Sequence, residues 1–273
     1  MKFRCSKPRP PRFCHFAHLR RFRFGIILLL VPFYCLAQPK SELAPLAALE
    51  PAEGERQGRS LVARLLEQKP ERAATNSGVL KIRDADGKQR DVPTLFEIVP
   101  MPTNWLNVYE AATGLNSQSV NLTILHSDGQ PNQYFLSKSG GASPEKLAPA
   151  ELMIPFAGSD FWVADLGLEF LHWPQQRVLR KQMRKGQFCD VLQSVDPHPV
   201  AGGYSRVLSW IAVNHTEDIV IVHADAFDIQ DKLLKEFDPK KVEKVNGVWQ
   251  LEEMEIRNRQ TGTRTRIDFN LEQ

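Results

Sequence analysis

The sequence predicts an α+β domain built as one curved antiparallel sheet with two or so helices on its inner side. Short segments rich in β-branched and aromatic residues recur along most of the chain, separated by turn signals. Only two stretches carry apolar residues at helical spacing. The clearest strand, Thr263 to Leu271, places Ile267, Phe269 and Leu271 on one face and Arg264, Arg266, Asp268 and Asn270 on the other. One face of the sheet should therefore meet an apolar interior and the other water.

The elements follow in order. Leu61, Val62, Leu65 and Leu66 share one helix face, and Pro70 stops that run, so a helix opens the domain from about Glu55. Strand candidates come next at Gly78 to Asp84, Thr94 to Val99, Asn104 to Glu110, Val120 to His126 and Gln133 to Ser137. Asp86-Gly87 and Asp128-Gly129 supply turns among them. A second helix is expected over Ser159 to Leu171. Ser159 would serve as its N-cap and Asp160 would complement the positive end of its dipole, before Trp173-Pro174 ends it. Strands then resume at Arg177 to Met183, Phe188 to Val195, Tyr204 to Val213, Ile219 to Phe227, Val248 to Asn258 and Thr263 to Leu271. Lys240-Lys241 and Lys244, interleaved with Asp238 and Glu243, read as a solvated loop. No internal repeat or second domain emerges.

Composition narrows the function. The 273 residues are 42% hydrophobic, enough for a sizeable core. Formal charge is +3, yet residues 1–37 hold Lys2, Arg4, Lys7, Arg9, Arg12, Arg20, Arg21 and Arg23 with no Asp or Glu. Without that segment acidic residues outnumber basic ones, and nothing favours nucleic-acid binding. The same segment runs from basic residues into the apolar stretch Gly25 to Ala37, interrupted by Pro32 and ending in small residues at Cys35 and Ala37. It is too short for the roughly 20 apolar residues of a membrane span and reads as a signal peptide cleaved after Ala37, with an uncleaved tether as the alternative. Residues 38–54, with Pro39, Pro45 and Pro51, read as a flexible lead-in to a domain over 55–273.

The search for chemistry returns little. Of Cys5, Cys14, Cys35 and Cys189 only the last lies beyond the signal segment, and beside Phe188 and Val191 it reads as a buried strand residue. No nucleophile elbow, Walker loop or dinucleotide fingerprint is present. His223 with Asp225, or Asp160, Asp165 and His172, are sparser than known metal sets, so neither metal nor cofactor is expected. Asn121-Leu122-Thr123 and Asn214-His215-Thr216 match the glycosylation tripeptide, which recurs by chance.

Four stretches from Met153 to Leu271 carry a resemblance. Ile154-Pro-Phe-Ala-Gly158-Ser159-Asp160-Phe161 with Asp165-Leu166 comes first, then Tyr204-Ser-Arg-Val-Leu-Ser-Trp210. Lys232-Leu-Leu-Lys235 with Asn246-Gly247-Val-Trp249, and Met254-Glu-Ile-Arg-Asn258 with Thr261-Gly262-x-x-Thr265, complete the order. In these the chain resembles the outer-membrane lipoprotein-sorting proteins, the LolA-like periplasmic carriers. The N-terminal half is similar in outline, through Pro100-Met-Pro-Thr-Asn-Trp105.

The resemblance implies a strongly curved antiparallel sheet forming an unclosed half β-barrel, with helices covering the concave face. It implies a non-enzymatic periplasmic carrier of lipoprotein or lipid acyl chains, served by a membrane-bound donor or acceptor. Trp105, Phe161, Leu166, Leu208, Trp210, Ile267 and Phe269 become the candidates for an apolar cavity, and Gly158, Ser159, Asp160 and Asp165 the motif residues. A bland reading stands beside this one: Ser159 and Asp160 as a helix cap, the aromatics as core. A sensor or interaction module of the same fold with a filled core is the rival function, and an enzyme a distant third. Two helices are few to cover roughly ten strands, so an apolar pocket is expected to remain.

Overall fold

The computed structural model describes residues 48–113, 119–138, 143–213, 219–245 and 248–271. The chain divides into two units, 1–43 and 44–273, and every described residue belongs to the second. The signal segment, the Asn246-Gly247 turn and Asn214-His215-Thr216 lie outside the described residues.

Helix α1 spans Pro51–Leu66, and β1 (Ala74–Arg83), β2 (Gln89–Pro100), β3 (Asn104–Ala112), β4 (Ser119–Ser127), β5 (Gln133–Lys138) and β6 (Glu145–Lys146) follow it. After a connector containing the four-residue helix α2 (Val163–Leu166) come β7 (Gln175–Arg184), β8 (Gln187–Val195), β9 (Arg206–Val213), β10 (Ile219–Phe227), β11 (Leu233–Val245), β12 (Val248–Asn258) and β13 (Arg264–Asn270). All the strands join one 13-stranded sheet in the order β6-β5-β4-β3-β2-β1-β13-β12-β11-β10-β9-β8-β7. Every pairing is antiparallel, as the alternating strands require.

The chain thus enters at the middle of the sheet, walks outward to β6, returns through the connector to the far edge β7, and walks inward until β13 pairs with β1. Leu80 lies opposite Ile267 and Gly78 opposite Phe269 at that closing pair. Gly78 is required there, because a Cβ would stand 2.6 Å from the Asp268 carbonyl and 3.0 Å from the Phe269 ring. The edges β6 and β7 do not pair, so the sheet stays unclosed.

Two pairs of near-neighbours in the chain show how far the sheet curls. Gln68 donates to the Ile219 carbonyl at the start of β10, while Lys69 ion-pairs with Asp128 beyond β4. Asn132, just before β5, donates to the Gly167 carbonyl, while Asp165 accepts from Lys235 on β11. Strands seven places apart in a flat sheet would be separated by roughly 35 Å, and two residues cannot span that. The sheet therefore wraps around the connector. Phe156, Phe161, Val163, Phe170 and Leu171 of the connector join Leu80, Leu122, Ile124, Val178, Leu192, Ile211 and Ile256 of the strands in one buried cluster.

Three expectations are corrected. The helix expected over Ser159 to Leu171 is replaced by α2 and short 3₁₀ turns at Phe156–Gly158 and Glu169–His172. Here the chain bonds to itself in hairpin fashion, Val163 N to Ile154 O and Ala164 N to Leu152 O, which competes with helical pairing. Neither Ser159 nor Asp160 caps a helix: Ser159 Oγ accepts from Phe161 N at 3.1 Å within an extended stretch.

The segment around Lys240-Lys241 belongs to the 13-residue strand β11. Its charges lie among partners, Lys241 on Glu252, Lys240 on Glu255 and Asp238 on Lys185, and bulges flank Pro239 and Lys241. Charge alternation there marks a strand with one wet face. Finally, α1 begins at Pro51, within the expected lead-in, with proline near its start where no donor is lost.

Helix α1 packs on the edge strand β7 through two glycines one turn apart. A Cβ on Gly58 would stand 2.6 Å from the Gln176 carbonyl, and one on Gly54 2.5 Å from that of Val178. Alanine normally favours a helix by about 1 kcal/mol over glycine. At Gly58 the backbone clash reverses that sign, so Gly58→Ala is expected to destabilise by about 1–3 kcal/mol in urea unfolding. A stabilised variant would show that α1 does not seat closely on β7.

Candidate functional site

The connector lies buried, and the backbone groups that its own turns and short hairpin leave unmet must be satisfied by side chains. Strands from both halves of the sheet supply them. Arg90 of β2 donates to the carbonyls of Ala157 and Gly158, Tyr109 of β3 to Leu166, and Gln176 of β7 to Phe170 and Trp173. Gly167 fits only because it has no Cβ, for one would overlap the Tyr134 hydroxyl at 2.2 Å. Ala157 and Leu168 hold left-handed φ values of 53° and 50°, a sparsely populated conformation for such residues.

A charged knot sits at the centre of these ties. Lys235 of β11 is wholly buried and donates to the Asp160 carbonyl at 2.7 Å and to Asp165 Oδ2 at 3.4 Å. Its ammonium lies 3.3 Å from the centroid of Trp162, a cation–π contact, and Trp162 stacks on Tyr204 at 4.7 Å. Asp165 also accepts from Trp162 N at 2.7 Å and from the Tyr204 hydroxyl at 2.9 Å. Asp160 accepts from the hydroxyls of Thr263, just before β13, and Thr265 within it, and its own N–H donates to Thr265 Oγ1 at 2.9 Å.

Burial pushes Lys235 down to about 8, against the pull of Asp165. It also pushes Asp165 up, opposed by Lys235 and by the hydrogen bonds from Trp162 and Tyr204. The knot fastens the connector to β11, to β13 and to Tyr204 just ahead of β9.

Beside the knot two cavities of about 410 and 340 Å³ adjoin along the connector. Pro149, Leu152 and Glu169 line both, making them one trough. The β4–β5 turn with Tyr134 walls the larger part; Met153, His172, Trp173, Asp196, His198 and Val200 wall the smaller. Tyr134, Leu152 and Trp173 belong to the main core, so the floor of the trough is the core itself. The Tyr134 hydroxyl donates to Glu169 at 2.7 Å. Burial raises Glu169, and the bond from Tyr134 partly offsets it.

The residues singled out from sequence divide between two faces. Phe161, Leu166, Ile267 and Phe269 join the main core or pack against it, and Phe269 continues through Phe96 and Tyr109 to Phe156 as a run of rings. Trp105 is half-buried and stacks on His126 at 4.7 Å. Leu208 and Trp210 instead belong to a second cluster with Cys189, Val191, Ala212 and Val222 on the other face of the sheet. That follows from the period of two, since Val207 and Ile211 of the same strand point into the main core. None of these seven lines the trough.

Of the motif residues, Asp160 and Asp165 meet in the knot, Ser159 bonds locally, and Gly158 supplies a positive φ of 67°. Sequence reading quoted Lys235 only within a motif and missed Tyr134 and Glu169. A lysine two positions before the apolar Phe237, which the structure buries in the core, was the one available signal for the knot.

Two outcomes test these interactions. Lys235→Met strands a buried carboxylate and is expected to cost about 3–5 kcal/mol in denaturant unfolding. Adding Asp165→Asn should recover part of that loss, whereas strictly additive losses would mean that the two groups do not act as a pair. Burial lowers His126 to about 4 from an ordinary value of 6.5 and lowers His172 as well. The unfolded chain therefore binds more protons between pH 6.5 and about 4, and stability declines as pH falls through that window. His126→Gln is expected to flatten this limb of a Tm-against-pH profile, with His172 leaving a residual slope; an unaltered limb would contradict it.

No helix among the described residues is long and apolar enough to cross a membrane. No curated protein matches the chain by sequence. Among solved structures, a domain described as that of an outer membrane lipoprotein-sorting protein from Vibrio parahaemolyticus is similar with a TM-score of 0.66 at 14% identity, covering 79% of this chain and 91% of that one. A DUF1329 family protein from Desulfovibrio piger gives 0.63 at 16%, covering 80% and 91%. A LolA superfamily protein from Nitrosomonas europaea gives 0.56 at 13%, covering 78% and 91%. At these identities the likeness establishes the fold, a large unclosed antiparallel sheet of the LolA-like kind. A family model described as "-like: Uncharacterized protein" matches residues 119–271, more than half of the chain. The chain belongs to the family of that model, and its fold is LolA-like.

Proposed function

We propose that this protein is a periplasmic carrier that binds the acyl chains of lipids or lipoproteins, entering by the trough, and that it performs no catalysis. The observation that carries the reading is the trough itself, an opening floored by core residues at the place where the connector crosses between the unpaired edges of the sheet. Its two parts fall within the roughly 300–1,000 Å³ of ordinary ligand sites. Leu147, Pro149, Leu152, Met153, Trp173 and Val200 offer hydrocarbon on its walls. Each methylene withdrawn from water there is worth ~0.8 kcal/mol, so even a partly covered chain gains several kcal/mol.

The related structures support this reading, since they include a lipoprotein-sorting domain. A carrier must shield a chain that water rejects and still release it, and a wall made of connector, held by discrete polar ties, suits both tasks. An export signal over residues 1–37 would place the carrier in the periplasm, where a membrane-bound donor and acceptor would meet it.

The purified protein is expected to bind a fluorescent fatty-acyl probe at low micromolar concentration. Val200→Asp, at the rim, should weaken binding about tenfold without lowering Tm. A folded protein that takes up no probe would overturn the carrier reading and leave an interaction module with a filled core.

A further inference from the structure

We propose that the trough takes an amphiphile whose polar end carries an ammonium group, held at Glu169 with Asp196 beside it. This rests on the binding reading above and adds the charge of the ligand to it.

The trough is apolar along most of its wall, yet carboxylates stand at its centre. Glu169 lines both parts of it and is partly buried. Its partner among the described residues is the neutral Tyr134 hydroxyl, and no lysine or arginine of the described residues stands within ion-pair distance of it. Asp196 lines the smaller part, among the described residues accepts only the His198 N–H at 2.9 Å through Oδ1, and lies close enough for its charge to act on Glu169.

The basic groups nearby do not neutralise them. The cationic Lys146 lines the larger part, but it donates to Gln133 at 2.8 Å and forms no ion pair with Glu169, and burial lowers His172. A carboxylate withdrawn from water is costly unless a cation meets it. Among the described residues neither Glu169 nor Asp196 is ion-paired, so an ammonium group of a ligand would find both carboxylates open.

The surroundings choose among cations. Trp173 stands on the same wall, where an aromatic ring adds to the attraction for an ammonium group. No three His, Cys, Asp or Glu side chains of the described residues stand together to hold a metal ion, whereas Leu152, Met153 and Val200 continue the wall as hydrocarbon that would cover an alkyl tail. Head and tail are therefore both provided for. An anionic amphiphile of equal length would meet the same apolar wall but be repelled at Glu169 and Asp196.

The test compares four probes below their critical micelle concentrations by titration calorimetry: dodecylammonium, dodecyl sulfate, dodecyl maltoside and butylammonium. Dodecylammonium is expected to bind at least tenfold more tightly than dodecyl sulfate, with the neutral maltoside between them and butylammonium unbound. Glu169→Gln should remove the preference for the ammonium head, bringing dodecylammonium and the maltoside to the same affinity. Should loss of the Tyr134 contact unsettle the fold, Asp196→Asn, which makes no tertiary hydrogen bond, is expected to reduce the preference several-fold instead. Equal affinity for the three dodecyl heads, or a preference that survives both variants, would overturn this inference and leave the carrier reading standing. Butylammonium binding as tightly as dodecylammonium would overturn it in favour of a small-amine site. Failure of every dodecyl probe would overturn both readings.

Discussion

The buried ammonium of Lys235 is the interaction on which the rest of this structure depends. An irregular stretch of chain cannot lie inside a protein unless its backbone groups are met, and the connector from Leu147 to Pro174 meets only some of its own through its turns and short hairpin. Lys235 meets it from one strand, Asp165 gathers Trp162, Tyr204 and that lysine on a single carboxylate, and Asp160 engages both oxygens with threonines at the start of β13 and just before it. A charge buried at this depth is costly alone and tolerable only when paired and hydrogen-bonded. The same ledger of donors and acceptors explains why the connector has one definite path across the sheet: an alternative path would leave a charge behind.

Topology makes such a connector unavoidable. Because the chain begins in the middle of the sheet and covers one half before starting the other, one connection must pass from edge to edge. A flat sheet of 13 strands would place those edges more than roughly 50 Å apart. Curling brings them near, and the connector then occupies the space the curl encloses. Its apolar residues do for this sheet what long helices do elsewhere, while its polar ties draw strands from both halves onto one segment. A trough is left where the connector enters and leaves, since there its chain must pass over the edges rather than between two packed faces.

The two faces of the sheet are stabilised by different means. Inside, a single hydrophobic cluster runs from β5 to β13 and back to β7. Outside, ion pairs cross from strand to strand, Lys81 with Asp268, Arg266 with Glu253 and Lys241 with Glu252, around a small cluster under Trp210. The outer pairs are partly exposed and each contributes little. Their value is that charged strands can sit in the middle of a sheet at no great cost. This explains how β11, with Glu236, Asp238, Lys240, Lys241 and Glu243, is a strand at all.

The sequence by itself determined the antiparallel meander, the position of nearly every strand and the inward set at Ile267 and Phe269, because a period of two is a local property that each segment carries alone. It determined the opening helix in the same way, through Leu61 and Val62. Three things were decided only by the tertiary structure. Whether Ser159 to Leu171 is helical depended on threonines about a hundred residues away, which offered Asp160 better partners than a helix terminus does. Whether the Lys240 region is a strand depended on acidic partners across β12, which no local pattern reveals. Which carboxylates stand unpaired in the trough depended on the curl of the sheet, for Glu169 and Asp196 are separated in sequence and meet only where the connector returns to β7. Local periodicity fixes faces; the pairing of buried charges is a long-range condition, and only the folded chain satisfies it.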